Sequence, residues 1–158
     1  MTYFAWPSNE TQEAAANAGW TPDRRVDIGS WVSDLQAQGY SFFDEAVSVL
    51  SSMGGLIVRP PRIPEALWGS GSIRFDPLLA GDGMRERYAG FEQIIGHTIL
   101  PIADWGGESA MLLLDDGSVV EDITGGLRFL GSSFPDALDL AVRRYRKLDL
   151  MPEFRQRP

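Results

Sequence analysis

Ala18-Gly19-Trp20-Thr21-Pro22-Asp23-Arg24-Arg25-Val26-Asp27 is the stretch that most constrains the fold of this chain. Gly19 is placed to end one helix, because glycine readily adopts the left-handed conformation that closes helices. Pro22 fixes the turn that follows, and a second helix is predicted to begin near Asp27. We therefore expect a helical corner in which Trp20 plugs the junction and the two arginines pair with carboxylates such as that of Asp27.

Beyond this corner, the sequence predicts helices first and strands later. Apolar residues at helical spacing predict helices over about 10–18, 27–38 and 43–53, the last of which is ended by Gly54-Gly55. Strands are then expected at 56–58, 72–76, 98–103, 110–114, 118–123 and 127–130, with a loop at 77–83 and a helix at 84–95. A final helix should begin after Ser133, with Tyr145 on its buried face.

Two residues in the strand region carry further information. Pro101 donates no backbone hydrogen bond, so its strand should be bulged or lie at an edge. Asp116-Gly117 is a strong signal for a tight hairpin, with Gly117 at the position that needs a positive φ. The element order predicts an α+β fold with N-terminal helices, a mostly antiparallel sheet and a C-terminal helix packed on it.

The 158 residues suit a single domain, and we expect one over residues 1–158, with its core at about 9–148 and flexible tails. The N-terminus lacks the basic and apolar regions of a signal peptide. No apolar run approaches the roughly 20 residues of a membrane-spanning helix. These features predict a cytoplasmic protein with no membrane partner.

Charge gives the first indication of a partner. The net charge of −8 argues against binding to nucleic acid, which needs clustered lysine and arginine. No lysine or arginine occurs from Tyr88 to Leu127, although this stretch holds seven acids: Glu92, Asp104, Glu108, Asp115, Asp116, Glu121 and Asp122. An acidic face attracts basic partners, whereas the simpler alternative is that these charges serve solubility.

The sequence offers no recognisable catalytic, cofactor or metal site. His97 is the only histidine and cysteine is absent, which excludes thiolate metal sites. Ser109 and Asp104 lie near His97 in sequence, but no nucleophile-elbow motif surrounds Ser109. The acids of the Asp116-Gly117 hairpin lack the spacing of a calcium loop. We therefore expect a structural role for His97 and no bound cofactor.

Two tryptophans, Trp68 and Trp105, fall in loops rich in glycine and serine. Tryptophan beside acidic residues is typical of hot spots in protein–protein interfaces. The alternative is that each ring folds back onto the core as a lid, and the sequence leaves both open.

Taken together, the motifs resemble the third group of the SUKH superfamily. The opening segment 18–25 resembles that family's first signature, and Gly54-Gly55-Leu56 is similar to its helix-to-strand junction. Residues 73–77 and 112–120 resemble two of its hairpins. Leu100-Pro101-Ile102 is similar to one of its strands, although Ala103 stands where glycine is usual. The resemblance covers about residues 12–142, ending with motifs at 130–138.

This resemblance implies an α+β immunity protein of a bacterial polymorphic toxin system. Such a protein binds a cognate toxin domain, often a nuclease or nucleic-acid deaminase, and has no catalytic residues. We expect an acidic surface to occlude the toxin's basic active site. The expected contacts are Trp68, Asp104, Trp105, Glu108, Asp115, Asp116, Glu121 and Asp122. A non-catalytic adaptor, or an enzyme with an unrecognised carboxylate site beside His97, remains an alternative.

Overall fold

Six α-helices surround one antiparallel sheet in the computed structural model, which describes residues 4–155. The helices are α1 (Asn9–Ala18), α2 (Gly29–Ala37), α3 (Asp44–Met53), α4 (Pro77–Gly81), α5 (Arg85–Ile95) and α6 (Phe134–Arg143). The strands are β1 (Ile57–Val58), β2 (Ile73–Arg74), β3 (Ile99–Trp105), β4 (Ser109–Leu114), β5 (Val119–Ile123) and β6 (Gly126–Gly131). They pair in chain order, β1-β2-β3-β4-β5-β6, which confirms the predicted α+β class.

The C-terminal end of α3 is buried, so its last carbonyl groups need hydrogen-bond donors from the protein. The corner segment supplies most of them. The backbone N–H of Val26 donates to the Ser51 carbonyl over 2.8 Å. The Arg24 guanidinium donates to the carbonyls of Ser52, over 2.6 Å, and Gly54, over 2.8 Å. The predicted pairing of these arginines with carboxylates is therefore wrong for Arg24. Its guanidinium group instead donates to buried backbone carbonyls that water cannot reach.

Gly54 is required at this junction by close approach. A Cβ atom there would lie 2.5 Å from the Leu50 carbonyl oxygen and 2.7 Å from the ring of Trp31. Real Cβ atoms essentially never show contacts under 3.0 Å, so a side chain at this position would force the ring of Trp31 or the end of α3 to shift. The next residue continues into β1, because the N–H of Gly55 donates to the Phe75 carbonyl.

Trp20 links the corner to an aromatic cluster. Its indole N–H donates to the Ser52 hydroxyl over 2.8 Å, and its ring lies 5.2 Å from that of Trp6. Phe4 packs in turn against Phe134 of α6. The residues 4–8 that we expected to form a flexible tail are therefore packed on the core.

The C-terminal segment is also packed where the structure describes it. The backbone N–H of Met151 donates to the Leu127 carbonyl, and the ring of Phe154 lies 5.3 Å from that of Phe91. Residues 149–155, which we expected to belong to a flexible tail, therefore contact the sheet and α5. The remaining parts of the two predicted tails, 1–3 and 156–158, lie outside the described residues.

The central strands confirm the two strand predictions. The register between β3 and β4 shifts between Pro101 and Ala103, which is the bulge expected from a proline inside a sheet. The hairpin between β4 and β5 turns at Asp116-Gly117, where Gly117 has φ 92°.

Two local predictions are wrong. The expected loop at 77–83 contains α4, which begins after Asp76 because that carboxylate accepts the N–H groups of Leu78 and Leu79. The last helix ends at Arg143, because Arg144 adopts a left-handed conformation with φ 54°. Tyr145 is consequently 50% exposed instead of buried.

No helix within residues 4–155 is both long enough and apolar enough to span a bilayer.

Replacing Arg24 with alanine should destabilise the protein, because the carbonyls of Ser52 and Gly54 lose their donors at a buried helix end. An unpaired buried polar group costs about 1–3 kcal/mol, so we expect the free energy of unfolding to fall by about 2–4 kcal/mol in urea titrations. Arg25→Ala is the matched control, since Arg25 is exposed and should change stability by less than about 0.5 kcal/mol. Equal losses in both variants would contradict this role for Arg24.

Candidate functional site

Strand register brings most of the predicted contact residues to one end of the sheet, around the turn between β3 and β4. Asp104 and Trp105 end β3, and Glu108 lies in the turn. On β5, Asp122 lies opposite Ala110, and Glu121 lies opposite Met111. Trp68, from the long connector between β1 and β2, places its ring 5.6 Å from that of Trp105. We call this end of the sheet the turn surface.

Alternation along the strands divides the turn surface between the two faces of the sheet, because neighbouring side chains point in opposite directions. Asp104, Ala110 and Asp122 are cross-strand neighbours and share one face. Glu121 and its neighbour Arg128 belong to the other face. Each face carries a groove, and Glu108 and Ser109 line both.

The first groove, here the carboxylate groove, has a volume of about 490 Å³ and lies between the sheet and helices α4 and α5. Its charged lining residues are Asp104, Glu108, Asp122 and Arg87. Arg87 pairs with Asp122 over 2.7 Å, so this lining retains an excess of negative charge. Arg74 lies opposite Asp104 on β2 but does not line the groove.

The floor of the carboxylate groove is held by Tyr88. Its hydroxyl donates to the Asp122 carboxylate over 3.0 Å. Burial, with the negative charge of Asp122 as the next cause, raises the pKa of Tyr88 well above its usual value. Tyr88 therefore stays a neutral donor at physiological pH and keeps Asp122 in place for Arg87.

The second groove, here the tryptophan groove, consists of two adjoining cavities of about 370 and 320 Å³. The two cavities share four lining residues: Trp68, Gly69, Arg128 and Leu148. On its floor, Arg128 pairs with Glu121 over 2.7 Å, and the Ser109 hydroxyl donates to the same carboxylate over 2.7 Å. The charge of Glu121 is thus neutralised within the protein.

Several predicted contacts are therefore less available to a partner than we expected. Trp105 is 5% exposed and donates its indole N–H to the Ser70 hydroxyl, so it forms part of the core. Glu121 is 6% exposed and ion-paired. The stretch without lysine or arginine is less acidic in the structure than in the sequence, because Arg87 and Arg128 lie just outside it and pair with Asp122 and Glu121. Glu108 remains exposed on the turn surface.

Asp115 and Asp116 lie at the opposite end of β4 from the turn surface, so the single acidic patch that we expected is divided. Both are beside His97: its Nδ1 lies 2.7 Å from Asp115, and its Nε2 lies 3.7 Å from Asp116. The hydrogen bond to Asp115 raises the pKa of His97, and the same bond lowers the pKa of Asp115.

This His97 cluster differs from the carboxylate site that the enzyme alternative requires. A general acid needs a carboxyl group whose pKa is raised toward neutrality. The pKa of Asp116 is lowered, as is that of Asp115, despite the opposing effect of burial at Asp116. Among residues 4–155, no group of three or more potential ligands is arranged to hold a metal ion.

Sequence reasoning missed two residues beside the carboxylate groove. Arg87 is one of them: it immediately precedes the stretch free of lysine and arginine, so the composition of that stretch does not include its charge. Leu79 lies on α4 and lines the groove while being 56% exposed. The signal for α4 was present, since Asp76-Pro77 combines a good N-cap residue with proline at the first helical position.

The pKa of His97 can be measured directly, because it is the only histidine and gives unique ring resonances in NMR spectra of the untagged protein. We expect its pKa to lie above the usual value of about 6.5. Asp115→Asn should lower it toward that value, since the main hydrogen bond loses its charge. Asp116→Asn should lower it less, because that carboxylate is farther away. An unchanged pKa in Asp115→Asn would contradict the assignment.

The same pair predicts a pH window for stability. Because the pKa of His97 is raised on folding, its contribution is complete below about pH 6.5 and is lost as pH rises through the folded value. Because the pKa of Asp115 is lowered, its contribution is complete above about pH 4 and is lost as pH falls. Chemical denaturation should show the largest stability difference between wild type and Asp115→Asn between these limits. A difference that grows above this window would be inconsistent with the ion pair.

Comparison with known proteins identifies the fold family. The family model described as SUKH-3 immunity protein matches residues 7–142, a span that includes the helical corner, the sheet and both aspartates of the carboxylate groove. No curated protein and no solved structure matches the chain. The match covers most of the sequence and confirms the resemblance found from its motifs, so the chain belongs to the SUKH-3 immunity protein family.

Proposed function

We propose that this protein binds a cognate toxin domain in the cytoplasm and neutralises it by covering the toxin's active site with the turn surface. Membership of an immunity family implies a toxin-neutralising role. The proposal assigns no catalytic step to this chain: recognition and steric exclusion are sufficient to keep a substrate out of the toxin.

The observation that carries the choice of surface is the exposed position of Glu108 between two grooves. It lines both the carboxylate groove and the tryptophan groove. Asp104 stands beside it, held by the Gly107 N–H over 3.1 Å. In contrast to Glu121 and Asp122, these two carboxylates have no ion pair within residues 4–155. They can therefore attract cations of a partner.

The partner that fits this charge is a toxin acting on nucleic acid, such as a nuclease or a deaminase. Such an enzyme needs lysine and arginine around its substrate to bind phosphates. A carboxylate surface complements those cations, which accelerates association and favours this partner over neutral ones. Leu79 adds an exposed apolar side chain at the margin of the same groove.

The direct test is co-expression with the protein encoded by a neighbouring toxin gene. We expect a stable complex in purification, restored growth of the host cell and loss of the toxin's activity on nucleic acid in vitro. Absence of a complex with such a toxin, or a complex that leaves its activity intact, would overturn the proposed function. An adaptor without toxin binding would then become the better hypothesis.

Charge reversal tests the surface within that complex. Glu108→Arg should weaken toxin binding at least about tenfold at low salt, because it places like charge opposite the toxin's cations. Glu13→Arg makes the same change at an exposed position on α1, away from the turn surface, and is the matched control. The difference between the two should shrink at high salt, where exposed charges are screened. Equal affinities at low salt would exclude Glu108 from the interface.

A further inference from the structure

We propose that the tryptophan groove receives an extended segment of the toxin that is apolar in its middle, basic at the Glu108 end and acidic at the Lys147 end. This inference rests on the proposed function and specifies which part of the toxin is recognised. The shape, rigidity and charge of the groove, which lies on the opposite face of the sheet from the carboxylate groove, select such a segment.

The groove is preorganised, because its walls are held by hydrogen bonds and a close backbone contact. The indole N–H of Trp68 donates to the Arg146 carbonyl over 2.8 Å, and that of Trp105 donates to the Ser70 hydroxyl over 2.9 Å. A Cβ atom at Gly71 would lie only 2.8 Å from the Cα atom of Gly106, so the connector and the β3–β4 turn touch at their glycines. A rigid groove loses little conformational entropy on binding.

Two apolar side chains line both cavities of the groove, beside the Arg128 guanidinium that is paired with Glu121. They are Trp68 and Leu148, and Leu67 lines the cavity that also contains Lys147. Leu67 is 56% exposed although its backbone N–H is bonded to the Arg144 carbonyl. A half-buried tryptophan in a fixed position is the type of residue that dominates binding energy in protein interfaces.

The two cavities of the groove carry opposite charges that are free to pair with a partner. Glu108 lines the cavity nearer the β3–β4 turn, and Lys147 lines the other. Arg128 is present in both, but it is already paired with Glu121. Within residues 4–155, neither Glu108 nor Lys147 forms an ion pair. The best complement is therefore a segment with a cation at one end and a carboxylate at the other.

Gly69 allows the groove to be blocked without disturbing the fold. It lines both cavities, it is exposed, and a Cβ atom added there meets no atom within 4 Å. A phenylalanine at this position would extend over the groove. Gly69→Ala leaves the groove open and is the first control. Gly90→Phe places the same ring on an exposed glycine of α5 with equal local space, and is the second control.

The probe is the toxin used in the co-expression experiment, with affinity measured by calorimetry and folding checked by circular dichroism. We expect Gly69→Phe to weaken binding about 30-fold or more, as the loss of a hot-spot contact does. Both control variants should bind as wild type does. Normal affinity of Gly69→Phe beside a wild-type complex would overturn the groove assignment alone, whereas failure of wild type to bind would overturn the proposed function as well.

Lys147→Glu tests the charge order. It should weaken toxin binding about tenfold, and Arg62→Glu, the same reversal at an exposed position that does not line the groove, should not. An unchanged affinity of Lys147→Glu would overturn the acidic end of the segment. If Gly69→Phe instead dissociates a homodimer, seen by light scattering, and leaves toxin binding intact, the occupant is a second copy of this chain and the proposal is wrong.

Discussion

The structure depends on a helix that ends inside the core. The carbonyls at the end of α3 cannot be hydrated, and backbone polar groups that lose water must be bonded within the protein. Arg24 and Val26 meet this requirement for Ser51, Ser52 and Gly54. Because the chain passes from this helix end directly into β1, the same bonds set where the sheet begins. A segment that resembles a simple connection between helices is therefore the C-terminal cap of a third helix.

Sheet pairing then converts a linear series of acids into two different environments. Adjacent residues of a strand face opposite sides, so Glu121 and Asp122 are neighbours in sequence but belong to separate grooves. Each is neutralised by an arginine contributed by another element. Within the described part of the chain, Glu108 has no such ion pair. It lies in the β3–β4 turn, so no residue of a neighbouring strand lies directly opposite it. The exposed charge of the turn surface therefore depends on which carboxylates meet an arginine in space and not on the number of acidic residues.

Much of the fold could be predicted because its signals are local. Proline cannot donate to a ladder, so the bulge at Pro101 followed from its chemistry alone, and Asp116-Gly117 predicted its hairpin in the same way. The end of α6 could not be predicted, because Arg144 adopts a left-handed conformation that its residue type disfavours. That conformation is supported by contacts with a distant connector, including a hydrogen bond from Arg144 to the Pro61 carbonyl.

The α+β class, the order of the elements other than α4 and the excess of negative charge follow from the sequence alone, since these depend on periodicity, on residue conformational preference and on a sum over residues. Which of these charges remain unpaired and available to a partner depends on the three-dimensional structure. Arg87 and Asp122 are 35 positions apart, and His97 and Asp115 are 18 apart, yet each pair is in contact. Coulomb attraction depends on distance in space, and that distance is set by strand register and helix packing, so the composition of a segment does not reveal its surface charge.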